Sequence, residues 1–200
     1  MAQPRLLAAG DPDLAPSSRI GDAWAAIAEV DAPELAEARA AIRELLAGRP
    51  RPLHRDERPG HLTGSALVVD PSRRRTLLLL HTKLGIWVQP GGHADGDANL
   101  AGVALREATE ETGIEGLRVW PLAVDLDVHR VDPPAEDAHR HHDVRFVVLA
   151  PAGAEVATNH ESRDHRWVTL DELDPLGVDD GTRRLVRRGL AVADTLDLGA

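Results

Sequence analysis

Residues 91–114 read GGHADGDANLAGVALREATEETGI. A glycine-rich turn opens this stretch and a helix with three glutamates follows it. Glu107, Glu110 and Glu111 stand at i, i+3 and i+4, so they share one helical face. Ala101, Ala104, Leu105, Ala108 and Thr112 fall toward another face, suited to packing on a sheet. Asp97 is the expected N-cap of this helix, which runs to about Thr112, and Gly113 is its expected C′ residue. Three like charges on one helical surface repel each other unless something neutralises them. A hard divalent cation does so, because Mg²⁺ takes oxygen ligands and keeps positions for water and substrate phosphate. A solvated acidic face has the same spacing, and spacing alone leaves both readings open.

Outward from this helix, the pattern on both sides is that of a mixed α/β unit. His61–Val69 and Arg75–His81 read as strands around a turn at Asp70–Arg74, and Ile86–Gln89 is a short strand ahead of Pro90-Gly91-Gly92. Further strands are expected near Leu117–Val128, Val144–Leu149 and Arg166–Val168. Thr169 and Glu172 have capping-box spacing, and Thr182–Leu196 reads as a last helix. Upstream, Met1–Ser18 shows no period and is expected to be mostly loose. Gly21–Val30 reads as a helix. A second follows, with Asp31 as N-cap, Pro33 in its first turn, and Leu35, Ala38, Ile42 and Leu45 as one apolar stripe. The stripe needs a partner, either the main domain or a second copy in a homodimer. The expected division is an extension with a helical hairpin over residues 1–56 and a main α/β unit over 57–200.

Composition narrows the function classes. A net charge of -10 argues against broad binding to nucleic acid or to anionic membrane, although metal ions can bridge an acidic protein to a polyphosphate. The chain has no cysteine, which removes disulfides, thiol chemistry and thiolate metal sites. Its longest strongly apolar run, Leu77–Leu80, is far too short to span a bilayer, and the first ten residues make a poor signal peptide. A cytoplasmic setting is the expectation. There are four tryptophans, one phenylalanine and no tyrosine. Trp87 and Trp120 are expected in the core, with base stacking as the alternative for Trp120.

The stretch also resembles the box of the Nudix family: Gly, five residues, Glu, seven residues, then Arg-Glu-aliphatic-any-Glu-Glu-any-Gly-aliphatic. Gly92 takes the first position, and Arg106, Glu107, Ala108, Glu110, Glu111, Gly113 and Ile114 fill the second half in register. Trp87-Val88-Gln89-Pro90-Gly91-Gly92 looks like the family's strand and glycine turn. One position departs, because the first Glu of the box falls on Ala98. The resemblance extends over about residues 61–175 and implies an α/β/α sandwich with a mixed sheet, to which the helical hairpin is added.

The resemblance further implies Mg²⁺, with Mn²⁺ as a substitute, bound by Glu107, Glu110, Glu111 and the Gly91 carbonyl. Arg106 would orient the carboxylates by charge-assisted hydrogen bonds. The activity implied is hydrolysis of a phosphoanhydride in a small nucleotide, a nucleoside diphosphate linked to another group. Glu161, six residues before Trp167, is the candidate for a remote carboxylate that completes the catalytic and metal site, and an ordinary loop acid is the alternative. Asp143 and Glu136 are weaker candidates. Ala98 favours a rival reading, a non-catalytic Nudix-fold module that binds a nucleotide and regulates a partner. Substrate contact is expected from His93, beside the glycine turn, and from His141 or His142. A zinc cluster among His139, His141 and His142 is the less favoured reading, because cysteine is absent and the spacing is irregular. The missing tyrosine departs from the dinucleoside-polyphosphate hydrolases of the family, and the missing cysteine from its isomerases.

Overall fold

The computed structural model describes residues 4–28, 30–132 and 137–196. One mixed sheet organises them. Its strands are β1 (Leu7–Ala8), β2 (Gly60–Val69), β3 (Thr76–His81), β4 (Trp87–Val88), β5 (Gly91–His93), β6 (Arg118–Val119), β7 (Asp125–Val131), β8 (His139–Leu149) and β9 (Ser162–Val168). The helices are α1 (Ile20–Ala28), α2 (Ala36–Gly48), α3 (Leu100–Thr112) and α4 (Asp180–Thr195). The sheet order is β1-β6-β8-β2-β3-β4, with β5 on β2, β7 on β8 and β9 on β3. β2 and β8 are parallel and run in register from Gly60↔Arg140 to Val69↔Leu149, while the other pairs are antiparallel.

β2 is buried along its whole length because helices cover both faces of the sheet. On one face Leu62, Ala66, Val68, Val144, Phe146 and Val148 pack with the apolar side of α3. On the other, Leu67, Val69, Val147 and Leu149 pack with Leu185, Val186 and Ala193 of α4. The result is the α/β/α sandwich expected from the sequence. Ala23, Ile27, Ile42, Leu45 and Leu46 of the α1–α2 hairpin belong to the same core as α3, so the apolar stripe of the hairpin finds its partner within the chain. No helix among the described residues is long and apolar enough to cross a membrane.

Four local expectations need correction. Met1–Ser18 is not loose over its described part: Leu7 and Ala8 pair with Val119 and Arg118, and a 3₁₀ turn spans Pro12–Leu14. A two-residue strand leaves no periodic signal to read. Asp31 caps no helix; its carboxylate accepts from Arg39 at 2.7 Å, and α2 starts from a 3₁₀ turn at Pro33–Leu35. The cap of α3 is Asn99, whose side chain accepts from the Gly102 amide at 3.2 Å, rather than Asp97. Asp97 instead accepts from the amides of Ser17 and Asn99 at 3.0 and 2.9 Å, which ties the N-terminal segment to the start of α3. β8 begins at His139, five residues before the apolar run, because polar side chains form the first half of one face. The Thr169–Glu172 capping box and the left-handed Gly113 (φ 65°) appear as read.

Candidate active site

α3 lies with its C-terminal half beside the β5 glycines. A Cβ on Gly92 would stand 2.3 Å from Glu107 Oε2, so only glycine lets the carboxylate approach the strand this closely. The Gly91 amide donates to Glu111 Oε1 at 3.3 Å. Arg106 donates to Glu107 Oε1 at 2.9 Å and to the His93 carbonyl at 3.3 Å, and stands 4.0 Å from Glu110. It therefore braces both the helix and the glycine turn. Glu110 is the exposed member of the three glutamates.

The loop before β9 docks on the end of α3. The amides of Ala157 and Asn159 donate to the carbonyls of Thr112 and Glu111, at 2.8 and 3.4 Å, and the Thr82 amide donates to the Glu161 carbonyl at 2.8 Å. These bonds bring Glu161 to the box glutamates, close enough for its charge to raise the pKa of both Glu107 and Glu111. Burial, with Glu107, Glu161 and Glu110 nearby, pushes Glu111 up to about 8. Burial also raises Glu107, against the pull of Arg106. Four carboxylates are thus gathered where bare like charges are costly, and an all-oxygen donor set of this kind fits a hard divalent cation.

Other sequence candidates lie elsewhere. Asp143 does not join the carboxylates. It is fully buried in β8, where it accepts from Thr63 and Ser65 at 2.8 Å and pairs with Arg145 at 2.7 Å. That role uses up its lone pairs. Glu136 lies outside the described residues. His141 and His142 face opposite sides of the sheet, as neighbours on a strand must. His142, on the α3 face of the sheet, is buried with its ring against Gly60. His141 joins His61, His93, His129 and His139, whose ring centroids stand 4.9–5.5 Å from their neighbours. His61, His139 and His142 are all buried. Burial and the adjacent His93 hold His61 down at about 4 and His141 at about 3, so both rings are neutral at pH 7. Trp87 and Trp120 pack against the α4 side of the core.

The departure at Ala98 is also a packing matter. Ala98 is fully buried, and its amide donates to the Ser17 carbonyl at 2.6 Å. Neither nearby aspartate substitutes for the absent glutamate: Asp97 serves Ser17 and Asn99, and Asp95 pairs with Arg55, whose Nε donates to Oδ1 at 2.8 Å. Arg106 is already partnered by Glu107 and the His93 carbonyl. Ala98→Glu is therefore expected to change kcat by less than about tenfold. It should also lower stability by at least about 1 kcal/mol, by enclosing a polar group without a prepared partner. Steady-state kinetics and denaturant melts of the variant check both.

A family model described as NUDIX domain matches residues 61–189. This chain belongs to the Nudix family. A Mycobacterium tuberculosis protein named "Putative 8-oxo-dGTP diphosphatase 3" is 32% identical over 120 residues, which cover 56% of this chain and 52% of that protein. The chain thus spans about half the length of the curated relatives it matches. Among solved structures, a Caenorhabditis elegans Ap4A hydrolase binary complex aligns with a TM-score of 0.55 at 17% identity, over 66% of this chain and 97% of that one. A Nudix hydrolase from Mycobacterium smegmatis, RenU, aligns with a TM-score of 0.51 at 22% identity, over 70% and 91%. At these identities the structural likeness establishes the Nudix fold alone. The match begins at His61, beyond the α1–α2 hairpin.

Proposed function

We propose that this Nudix protein hydrolyses a phosphoanhydride in a small nucleotide, a nucleoside diphosphate linked to another group. The observation that carries this reading is the convergence of Glu161 with Glu107 and Glu111 beside Gly91 and Gly92. Mg²⁺, or Mn²⁺ in its place, would be held by Glu107, Glu110, Glu111, Glu161 and the Gly91 carbonyl. When bound, the metal supplies charge stabilisation on the phosphate oxygens and a more acidic water. Arg106 holds the Glu107 carboxylate in place and ties it to the turn. Glu161 accepts a proton from the attacking water at its carboxylate, and His93 borders the cleft where substrate is held. We assign residues 57–200 to the catalytic unit, residues 1–56 to an extension that packs on it, and the protein to the cytoplasm.

The homologous relative is named for 8-oxo-dGTP, which makes oxidised nucleoside triphosphates the first substrates to try. Glu161→Gln separates catalysis from binding. If Glu161 completes the site, kcat falls on the order of 10²-fold or more while KM changes little. An unchanged kcat would return Glu161 to the status of a loop acid and leave the proton to one of the box glutamates. The non-catalytic reading rested on Ala98, and the burial of that residue under Ser17 accounts for the departure without loss of the carboxylates.

A further inference from the structure

The histidine cluster lies on the sheet face opposite α3, and its members His61, His139 and His141 take no part in the proposed hydrolysis. His61 is the second residue of β2, paired with His141, and His139 and His141 stand two apart on β8, so all three project from the same face. The parallel register places His61 directly beside His141. One ring nitrogen from each residue lies within 4.8 Å of the other two. We propose that His61, His139 and His141 form a binding site for a first-row transition-metal dication of the zinc class, separate from the box carboxylates.

Three observations support it. First, the Nε2 atoms of all three residues are buried and have no hydrogen-bond partner among the described residues. An orphaned buried nitrogen costs about 1–3 kcal/mol, and three facing one another call for a shared ligand. Second, two of the three opposite ring nitrogens are held by the backbone: His139 Nδ1 is 2.8 Å from the Asp137 carbonyl, and His61 Nδ1 is 3.5 Å from the Glu57 carbonyl. An Nδ1–H donated to a carbonyl leaves the Nε2 lone pair free, the usual arrangement of a metal-binding imidazole. Third, the donor set is all nitrogen, which suits zinc, nickel, cobalt or copper and not Mg²⁺. Bonds of about 2.0–2.1 Å bring tetrahedral nitrogens to about 3.4 Å apart, so the rings close on the ion by modest side-chain rotation. Three histidines leave a fourth position for water or an anion. His129 and His141, both only partly buried, leave a way in from solvent.

The test uses tag-free full-length protein, stripped with chelator and then kept in excess Mg²⁺ so that the carboxylates are occupied. Titration with Co²⁺ should give one equivalent of visible d–d absorption of tetrahedral type, displaced by Zn²⁺. His139→Ala and His141→Ala should each weaken Co²⁺ binding by at least about 10–100-fold, while Glu111→Gln keeps the absorption. Zn²⁺ should also raise the melting temperature of the unmutated chain in excess Mg²⁺, since binding to the native state alone stabilises it. This last readout needs no variant and serves even if a histidine substitution fails to fold. The proposal is overturned if unmutated protein in Mg²⁺ shows neither Co²⁺ absorption nor a Zn²⁺-dependent shift. It is equally overturned if folded His139→Ala binds Co²⁺ as tightly as the parent, or if Glu111→Gln abolishes the absorption.

Discussion

Glu111→Gln should remove on the order of 10²-fold or more of the Mg²⁺-dependent hydrolysis, and in metal-free protein at alkaline pH it should stabilise the fold. Both effects come from one carboxylate. Glu111 is pushed up to about 8 by burial and by Glu107, Glu161 and Glu110, from an ordinary value of 4.5. A folded-state value above the unfolded one means the fold favours the protonated acid. That stability is fully present below pH 4.5 and is lost as pH rises through 8. Glutamine is neutral at every pH and can still accept from the Gly91 amide, so the variant keeps what the parent loses. At pH 9 without metal the difference should be on the order of a few kcal/mol, at about 1.4 kcal/mol per pH unit of separation. Thermal melts in chelator at pH 6 and pH 9 read it directly. The parent should lose stability between the two and the variant much less, while Mg²⁺ should restore the parent alone. A parent melt indifferent to both pH and Mg²⁺ would show that the carboxylates are not crowded as described.

Arg145→Ala should have the largest effect on stability, about 3–5 kcal/mol. Arg145 is buried on β8, pairing with Asp143 at 2.7 Å, Asp127 at 3.2 Å and Asp125 at 3.6 Å, and donating to the Gly181 carbonyl at 3.2 Å. Arg184 adds bonds to Asp125 at 2.9 and 3.0 Å and to Asp127 at 3.0 Å, which fastens α4 across β7 and β8. Loss of Arg145 leaves Asp143 enclosed with only the Thr63 and Ser65 hydroxyls for hydrogen-bond partners among the described residues. An uncompensated buried charge is the expensive outcome of breaking such a network. For a chain of this length the loss corresponds to roughly 6–20 °C in Tm. Denaturant and thermal melts measure it, and a cost under about 1 kcal/mol would mean that the buried aspartates are satisfied without the arginine. The network also has a pH signature. Arg145 holds Asp143 below the usual carboxylate range, against the effect of burial. That share of stability is present above about pH 4 and is lost as pH falls through the depressed folded value.

Most of the sandwich and the shared face of the three glutamates were legible in the sequence, because they depend on short-range spacing, whereas the metal reading of that face came from the resemblance to the Nudix box. Glu107, Glu110 and Glu111 share a face at any point along a helix. Gly113 and the Thr169–Glu172 pair mark helix ends by local chemistry that the structure repeats. What escaped depends on partners distant in the chain. Asp97 and Asp31 have the residue type of a cap, but Ser17 and Arg39 compete for their oxygens. β1 is recognisable only from its pairing with β6. The histidine cluster was hidden for the same reason. His139 and His141 show strand spacing, but the third member, His61, joins them only through the parallel pairing of β2 with β8. The usable signal was the alternation on β2, where His61, Thr63 and Ser65 put polar groups at every second position of an otherwise apolar strand, and the run of polar residues from His139 to Asp143 that opens β8. A sheet face buried in that pattern must satisfy its polar groups with one another or with a ligand.

The carboxylates at the glycine turn are proposed to form a metal-dependent hydrolytic site. The most direct test is a screen of nucleoside triphosphates (oxidised forms included), nucleotide sugars, dinucleotides and nucleotide coenzymes, with phosphate-containing products resolved by ³¹P spectroscopy. Each substrate is run with Mg²⁺ and again with excess chelator. At least one phosphoanhydride should be cleaved in Mg²⁺, with little cleavage in chelator and little with Glu111→Gln in either. Cleavage that survives the chelator, or a Glu111→Gln variant as active as its parent, would contradict that proposal.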